Sequence, residues 1–419
     1  MTDLKGKHTL YICYFGMRQP LVQTQVIPYL QELAATGMRV SLLTFEPEFG
    51  DKWNGVQIEE KRVELLSKDI EWEALAYHKS PSAIATAYDI FAAARHIRKR
   101  IDAEDIDVLH GRVHVATLMG ALARKYSKRK PKLIFDIRGF FPEEYTDAGV
   151  WPEDGTLYRS AKRVERWLLR ESDGFVVLTE KAREVLFPGS KESGRDTAGR
   201  PVEVIPCCVD LQTRFKGEQT DRETQKSKFG YEGRFVAAHV GALGGLYLTR
   251  EIVDFLVAAR ERRPRLFALF LTQTDPGPVT ELLKENGFSE NDYFIGRVEA
   301  SQVPEYLEAS DVGLSFVKAT YATLSRSPTK IPEYLAAGLP IIANPGVGDV
   351  DELITNVGVG VLIDSFDRES YLKAVNDLAA LGDISERCRE TAKRSFDLKT
   401  VGGPLYRRLY DRLFCNGPD

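Results

Sequence analysis

The stretch SPTKIPEYLAAGLPIIANP, residues 327–345, predicts a short helix followed directly by a buried strand. Ser327 or Thr329 can cap the start of the helix, Pro332 suits its first turn, and Gly338 ends it. The apolar run PIIAN then reads as a strand, and another apolar run, VGLSFV, precedes the whole segment. A strand, a helix and a second strand in this order are typical of a parallel sheet covered by helices.

The same alternation extends in both directions through most of the 419 residues. In the first half, helix-length segments separate the apolar runs TLYICYF, RVSLLTF, DVLHG, KLIFDI, GFVVLT and VEVIP. In the second half, they separate RFVAAHVGAL, RLFALFLT, YFIGRV, VGLSFV, PIIAN and GVGVLID. This pattern predicts an α/β protein with two Rossmann-like, doubly wound domains, residues 1–205 and 206–395, followed by a helical segment at 396–419.

Composition and charge exclude several classes of protein. With 43% hydrophobic and 28% charged residues, the chain is not predominantly disordered, and 419 residues exceed the usual size of one core. A net charge of -4 gives no bulk reason to expect nucleic-acid binding. Five cysteines without zinc-ligand spacing argue against a disulfide framework, and no apolar run approaches a membrane span. We therefore expect a cytoplasmic protein.

Lys330 and Glu333 lie three residues apart, so they share one face of the short helix. A helix N-terminus attracts a phosphate group, and Lys330 adds a full positive charge there. A carboxylate beside that phosphate can accept hydrogen bonds from the hydroxyls of a ribose. The alternative is a capped surface helix with one ion pair. Because the helix follows a strand end, where open α/β sheets bind ligands, we favour a nucleotide diphosphate.

Several of these segments resemble the retaining GT-B glycosyltransferases of glycosyltransferase family 4. The resemblance rests on SPTKIPEYLAAGLPIIANPGVGDVDELI, FIGRVEASQVPEYLEASDVGLSFV, VIPCCVD and FVAAHVGAL. It implies two domains facing each other across a cleft, the donor in the second domain, and a C-terminal helix that crosses back to the first. It also implies transfer of a hexose-type sugar, with retention, from a nucleotide diphosphate to a saccharide or lipid-linked acceptor. The expected donor is a UDP-sugar rather than a GDP-sugar.

The sequence departs from the family's pattern in two places. The family has two glutamates separated by seven residues; Glu333 matches the second, which binds the donor ribose, whereas Ser325 stands in the place of the first. The family's loop after the first strand of the second domain carries Arg and Lys, but here it reads GALGGLYL. Its glycines would let the backbone approach a ligand. The residues that could supply the missing charge are Lys318, Arg326 and Lys330.

These considerations predict a donor site in the second domain. In FIGRVEA, a strand end is expected where the family's backbone meets the nucleotide base. The predicted donor-binding residues are Glu333, Thr329, Ser327, Ser325, Lys318, Gly241, Gly244, Arg297 and Val298. The predicted catalytic residues are Lys330, Arg326 and Arg112.

Strand ends in the first domain supply the candidates for the acceptor side. The segment YFGMRQP includes the end of the first strand, DVLHGRVHV contains a further strand and polar residues near its end, and FDIRGFF includes the end of another strand. Arg112 takes the position where some relatives of the resembling family place a histidine that faces the reacting sugar. His110 could instead be a structural histidine at a strand end. The predicted acceptor-side residues are Gly16, Arg18, His110, Asp136 and Arg138.

Two Asp-x-Asp triplets, at residues 105–107 and 349–351, are weak indications of a metal ion, because caps and turns explain them. We therefore predict a transferase that needs no metal. Three basic stretches, at 94–100, 123–132 and 162–170, could be solvated helix faces; the third mixes arginines with Trp167, a composition that could rest on an anionic membrane. A nucleotide-sugar epimerase and a non-catalytic sugar-nucleotide-binding protein remain alternative functions.

Overall fold

The computed structural model describes residues 4–47, 49, 53–78, 80, 82–215 and 221–415. The chain divides into two compact units, one of Met1–Pro206 with Gly402–Asp419 and one of Cys207–Val401. Each unit contains one parallel sheet whose strands are connected mainly through helices. The prediction of two Rossmann-like α/β domains is therefore confirmed.

The sheet of the first unit has seven parallel strands in the order β3-β2-β1-β4-β5-β6-β7. Its strands are β1 His8–Cys13, β2 Arg39–Glu46, β3 Ile70–Ala76, β4 Val108–Arg112, β5 Lys132–Asp136, β6 Gly174–Val177 and β7 Val202–Val204. All six residues of β1 are buried, as expected for the centre of a sheet that is covered on both faces.

In the part of this unit that the structure describes, eight helices connect the strands. They are α1 Pro20–Gln25, α2 Ile27–Ala34, α3 Gly55–Leu66, α4 Ser82–Ala103, α5 Val113–Tyr126, α6 Phe141–Asp147, α7 Thr156–Glu171 and α8 Glu180–Leu186. The sequence patterns did not indicate α3, β3 or α6. The edge strand β3 has charged side chains, and Glu73 pairs with Arg100 of α4, so no continuous apolar run marks it. In α3, Leu65 is the one buried residue, which gives that helix little apolar periodicity.

The sheet of the second unit has six parallel strands in the order β10-β9-β8-β11-β12-β13. They are β8 Phe235–Val240, β9 Leu266–Leu271, β10 Tyr293–Gly296, β11 Val312–Ser315, β12 Ile341–Ala343 and β13 Gly360–Leu362. The helices are α9 Leu211–Arg214, α10 Arg222–Phe229, α11 Thr249–Arg260, α12 Gly277–Glu285, α13 Val303–Glu308, α14 Lys330–Ala336, α15 Val350–Val357, α16 Arg368–Ala380 and α17 Ser385–Phe396.

Two apolar clusters cover the two faces of this second sheet. Ala238 and Leu269 belong to the cluster that contains residues of α14 and α17. Their neighbours Ala237 and Ala268 belong to the cluster that contains residues of α11 and α16. Because successive residues of a strand point to opposite faces, both faces are packed, and the strand ends are left to form a site.

The last helix, α18 Gly403–Phe414, belongs to the first unit and packs on α2 and β7. It follows a π-helical turn at Leu398–Gly402. Among the described residues, no helix is long and apolar enough to cross a membrane.

Candidate functional site

The order of strands in the second sheet marks one place for a ligand. Strands β8 and β11 are neighbours, and the connections that leave them run toward opposite edges of the sheet. In open α/β sheets, ligands bind outside the carboxyl ends of strands at such a switch point. Here residues 241–248 after β8 lie against the end of β11, because Lys318 N donates to Leu246 O at 2.8 Å and Tyr247 forms a bridge with Val317.

The loop after β8 depends on glycine. Gly241, Gly244 and Gly245 have φ values of +122°, +76° and +63°, which residues with a Cβ rarely adopt. A Cβ built on Gly241 would lie 3.6 Å from Lys330 Nζ. The glycine at this position therefore keeps the space beside the lysine free of a side chain.

Lys330, the first residue of α14, is the most unusual charged group of this region. The residue is 4% exposed, and its Nζ has no hydrogen-bond partner within the described chain. The ring of Tyr247 faces the ammonium group, and its centroid lies 4.7 Å from Nζ. Burial lowers the pKa of Lys330 to about 7, although the nearby charge of Glu333 acts in the opposite direction. A buried cation without a counter-ion is costly, so this position favours a bound anion.

The start of α14 has no side-chain cap. Thr329 occupies the N-cap position, and its side chain makes no capping hydrogen bond. The hydroxyl of Ser327 accepts a hydrogen bond from Cys207 N at 3.0 Å. The prediction that Ser327 or Thr329 caps the helix is therefore wrong, because one hydroxyl holds the segment after β7 and the other makes no cap. Pro332 does lie in the first turn, as the sequence indicated.

Glu333 lies one turn further along α14 and forms an ion pair with Arg214 of α9. Arg214 Nη2 also donates to Ala300 O at 3.1 Å. The guanidinium thus connects α14 to α9 and to the segment that contains Ala300. The side chain of Glu333 is 13% exposed. Its carboxylate is thus oriented by Arg214 while it remains partly accessible to a ligand.

The remaining donor-side candidates are more scattered. Ser325 is buried, and its hydroxyl donates to Ala322 O at 2.7 Å. That burial does not favour direct contact between Ser325 and a sugar. Lys318 and Arg297 are exposed, and Arg297 Nη2 donates to Gln273 O at 2.8 Å. Two further candidates are partly buried: Arg326, and Val298, which packs on an apolar core cluster.

In the first unit, the polar candidates form a buried network around Asp136. Arg138 Nε lies 2.7 Å from Asp136 Oδ1, and Tyr11 and Tyr406 each donate a hydroxyl to Oδ2 at 3.2 Å. His110 Nε2 lies 3.5 Å from the same oxygen. Burial raises the pKa of Asp136, but Arg138 and then His110 outweigh this effect and hold the pKa below its usual range.

This network attaches α18 to the first sheet. Tyr410 of α18 is within 2.9 Å of both Thr9 Oγ1 and His110 Nδ1, and Arg138 also bonds to the hydroxyl of Tyr406. Arg112 is 2% exposed, and its Nη1 lies 3.8 Å from Asp136 Oδ2. Sequence reasoning expected these residues to face an acceptor or the reacting sugar. The structure instead buries His110, Arg112 and Asp136. His110, Asp136 and the partly buried Arg138 join α18 to the sheet, whereas Arg112 Nη1 donates to Gln25 O.

The loop after β1 holds the last two acceptor-side candidates. A Cβ on Gly16 would come within 2.8 Å of Pro47 Cδ and 3.0 Å of Glu46 Oε2. Glycine is therefore needed here for packing against residues of the protein itself. Arg18 is exposed, and its guanidinium lies 4.4 Å from the ring centroid of Trp53.

Both Asp-x-Asp triplets contain structural carboxylates. Asp107 accepts from His8 N at 2.9 Å and pairs with Lys7, while Asp105 pairs with Arg129. Asp351 accepts from Gly346 N at 3.1 Å. Among the described residues, no group of three or more His, Cys, Asp or Glu side chains could hold a metal ion.

Sequence reasoning missed two contacts of the candidate site. Tyr247 belongs to the quoted glycine loop, but only the fold brings its ring over Lys330. Arg214 is separated from Glu333 by 119 positions, and no local pattern connects them. The signal that could have found Tyr247 is the aromatic residue after three glycines in the loop GALGGLYL.

The family comparisons agree with this architecture. Residues 22–188 match the family model described as a glycosyl transferase 4-like domain, and residues 250–395 match the one described as glycosyl transferases group 1. A 2-deoxystreptamine glucosyltransferase from Streptomyces kanamyceticus is 27% identical over 242 residues, which cover 56% of this chain and 54% of that protein. The chain thus matches about half the length of that relative. A putative glycosyltransferase, EpsD of Bacillus subtilis, is 22% identical over 321 residues, covering 74% and 78% of the two chains.

Solved structures show the same fold at low sequence identity. A glycosyltransferase from Rickettsia africae has a TM-score of 0.71 at 15% identity, covering 98% of this chain and 100% of the other. Anabaena HepE, solved with UDP and glucose, has a TM-score of 0.69 at 15% identity, with coverage of 97% and 100%. WaaG, a glycosyltransferase involved in lipopolysaccharide biosynthesis, has a TM-score of 0.64 at 16% identity, with the same coverage.

Proposed function

The chain belongs to the glycosyltransferases, with a family 4-like first domain and a group 1 second domain, and from this premise we propose that it transfers a hexose-type sugar from a nucleotide diphosphate to an acceptor. The donor binds at the carboxyl ends of β8 and β11. The acceptor approaches the first domain.

The buried ammonium of Lys330 is the observation that carries this proposal. It has no hydrogen-bond partner among the described residues, and Gly241 leaves room beside it. A diphosphate supplies the missing negative charge, and the uncapped start of α14 adds backbone donors to the same place. The buried lysine therefore gains its counter-ion only when the donor is bound.

Glu333 binds the ribose in this proposal. Its carboxylate, oriented by Arg214, accepts hydrogen bonds from the two ribose hydroxyls. HepE, solved with UDP and glucose, has the same fold, which supports a UDP-sugar as the donor. The backbone near Arg297 and Val298 is left for the base.

The reaction breaks the bond between the anomeric carbon and the diphosphate and forms a bond from that carbon to the acceptor oxygen. Negative charge develops on the leaving diphosphate, and Lys330, assisted by Arg326, stabilises it. The leaving phosphate accepts the proton of the acceptor hydroxyl on the same face, so the configuration is retained and no side-chain base is needed. Because Arg112 is buried beside Asp136, we assign it to the support of the first domain.

The acceptor is a saccharide or a lipid-linked saccharide, and the enzyme acts in the cytoplasm at the inner face of the membrane. The lipopolysaccharide role of WaaG, which shares the fold, supports an acceptor of this kind. Positive groups of the protein replace a metal ion at the diphosphate. The loops that reach the diphosphate contain four further donor-side residues, which are Lys318, Ser327, Thr329 and Gly244.

A panel of UDP- and GDP-sugars, incubated with the purified chain, tests the proposal. We expect slow hydrolysis of one donor, faster consumption when a suitable acceptor is added, and loss of both in the Lys330→Ala variant. Lys373→Ala, which changes an exposed lysine of α16, serves as the control. An isomerised donor would identify an epimerase, and binding without turnover would identify a binding protein; either result contradicts the proposed transfer.

A further inference from the structure

Helix α4 has a second apolar face that is largely exposed. Ile84, Tyr88 and Phe91 are 71%, 60% and 68% exposed. Their spacing places them on one side of the helix, because residues separated by three, four or seven positions are neighbours there. The opposite side, which includes Ala93 and Ile97, is buried against the domain. The outer face of a helix in a globular protein is usually polar, so this face is unusual.

The same stripe becomes basic toward the end of the helix. Arg95 lies four residues after Phe91 and Lys99 four residues after Arg95, and both are exposed. Neither has an ion-pair partner in the part of the chain that the structure describes. One outer helix face thus combines three large apolar side chains with two unpaired cations.

The end of α5 extends the basic part of this surface. Asp102 of α4 accepts a hydrogen bond from Lys128 N at 2.9 Å, which brings the segment after α5 beside the end of α4. Lys125 and Lys128 are exposed, and Tyr126 between them is 65% exposed. Lys128, which follows the end of α5, therefore lies beside Asp102 near the end of α4.

The apolar half of the stripe lies at the edge of the sheet where the acceptor is expected. Helix α4 starts after the carboxyl end of β3, and Tyr14, just after β1, donates its hydroxyl to Asp89 Oδ2 at 2.7 Å. The ring of His78 packs on that of Tyr88 at 5.1 Å. The start of α4, with Ile84 and Tyr88, therefore lies toward the carboxyl ends of the strands of the first domain.

We propose that the outer face of α4 docks on an anionic lipid bilayer, with Ile84, Tyr88 and Phe91 inserted among the headgroups and Arg95 and Lys99 bound to lipid phosphates. The combination of apolar and basic side chains on one face fits the surface of such a membrane. This inference rests on the proposed function, which it deepens by specifying a membrane-embedded, lipid-linked acceptor. The carboxyl edge of the first sheet then faces the plane in which that acceptor lies.

Helix α7, the basic segment that sequence analysis had connected with a membrane, is a weaker fit. Leu168 is fully buried, Trp167 is partly buried, and Glu165 pairs with His114 of α5. The apolar side of α7 is used to pack on the domain. What remains outside is mainly charged, and Leu157 is its exposed large apolar residue, so α4 has the larger exposed apolar surface.

Sedimentation with vesicles tests the proposal on the full chain. Wild type should bind vesicles of phosphatidylcholine mixed with phosphatidylglycerol and should bind phosphatidylcholine alone much more weakly. Replacing Ile84, Tyr88 and Phe91 by serine together should lower binding by at least about tenfold. Arg95→Gln with Lys99→Gln should lower it less and remove much of its dependence on salt.

Helix α3 offers a matched control. Its Val56, Val63 and Leu66 are 67%, 59% and 60% exposed, but Glu59 and Glu60 are on the same helix. Their replacement by serine should leave vesicle binding unchanged. Equal binding by wild type and the α4 variant, or an equal loss in the α3 variant, would contradict the proposal. Wild type that does not bind vesicles and instead self-associates through α4 would also contradict the proposal, because that face would then be a protein interface.

Donor binding separates this inference from the proposed function. The α4 variant should bind UDP as wild type does, measured by calorimetry, because its substitutions lie outside the second domain. Vesicle binding without any UDP binding would contradict the proposed function but would still support membrane docking through α4. UDP binding without vesicle binding would reject the membrane surface alone.

Discussion

Lys330 connects the chemistry of the site with the stability of the protein, because the cost of burying its charge depends on pH. Burial lowers its pKa to about 7 in the folded protein, from 10.5. Between these values the unfolded chain binds more protons than the folded one. The contribution of Lys330 to the free energy of unfolding should therefore rise as pH increases from about 7 toward 10.

This linkage predicts how Lys330→Met should behave without ligand. The variant should be more stable than wild type at pH 6, where the wild-type lysine is charged and buried, and the difference should shrink by pH 9. Thermal unfolding at both pH values measures it. Lys373→Met, at an exposed site, should show no such pH-dependent difference. Parallel stability curves for wild type and Lys330→Met would rule out a depressed pKa.

A second prediction concerns Glu333. Glu333→Gln should weaken UDP binding by about 1.5 to 3 kcal/mol, because the ribose hydroxyls lose a charged acceptor. Arg214→Gln should weaken it less, since the carboxylate remains and loses only its orienting partner. Calorimetric titration of both variants compares them. Wild-type affinity in Glu333→Gln would place the carboxylate outside the ribose site.

Much of the candidate site could be predicted from the sequence, but only where its residues are close along the chain. Lys330 and Glu333 share one short helix, so their common face follows from helical periodicity. The ion pair with Arg214 and the ring of Tyr247 over Lys330 depend on how distant segments meet. Ser327 was misassigned as a cap because Cys207, which it binds, is 120 residues away.

At the scale of helices and strands, the central elements of both sheets were predictable, because buried parallel strands read as apolar runs. Strand β3 was not, since an edge strand needs no such run and places Glu71 and Glu73 toward basic partners. The helix that closes the chain, α18, shows a related limit. Tyr410 attaches it to Thr9 of β1 and His110 of β4, and Tyr406 attaches it to Asp136 of β5, contacts that no periodicity indicates.

The network at α18 predicts a loss of stability at the element scale. Asp136→Asn should destabilise the protein by about 3 to 5 kcal/mol, because buried cations lose their common carboxylate. Tyr410→Phe removes one hydroxyl shared by Thr9 and His110 and should cost about 1 to 2 kcal/mol. Tyr126→Phe, at an exposed tyrosine, is the control for both. Thermal unfolding measures the effects, and an Asp136→Asn variant as stable as wild type would show that the network does not hold the helix.

At the scale of the whole molecule, the proposed mechanism gives the protein's own cations the task of stabilising the leaving diphosphate. Turnover of the donor should therefore persist in EDTA. Lys330→Ala should lower turnover by roughly 100-fold, taking about 2.7 kcal/mol as the scale for one lost electrostatic stabiliser. Lys330→Arg should restore it only in part, because a guanidinium is larger than an ammonium. Activity lost in EDTA and recovered with magnesium or manganese would assign the task to a metal ion.

The central claim is that the buried ammonium of Lys330 binds the diphosphate of the donor, and titration of UDP measured by calorimetry tests it most directly. Wild type should bind UDP, and its affinity should fall as pH rises from 7 to 9, because the charged lysine becomes scarcer in the free protein. Lys330→Ala should bind at least about tenfold more weakly at pH 7 and should lose that pH dependence. Equal affinity in wild type and Lys330→Ala, with the same pH profile, would contradict the claim.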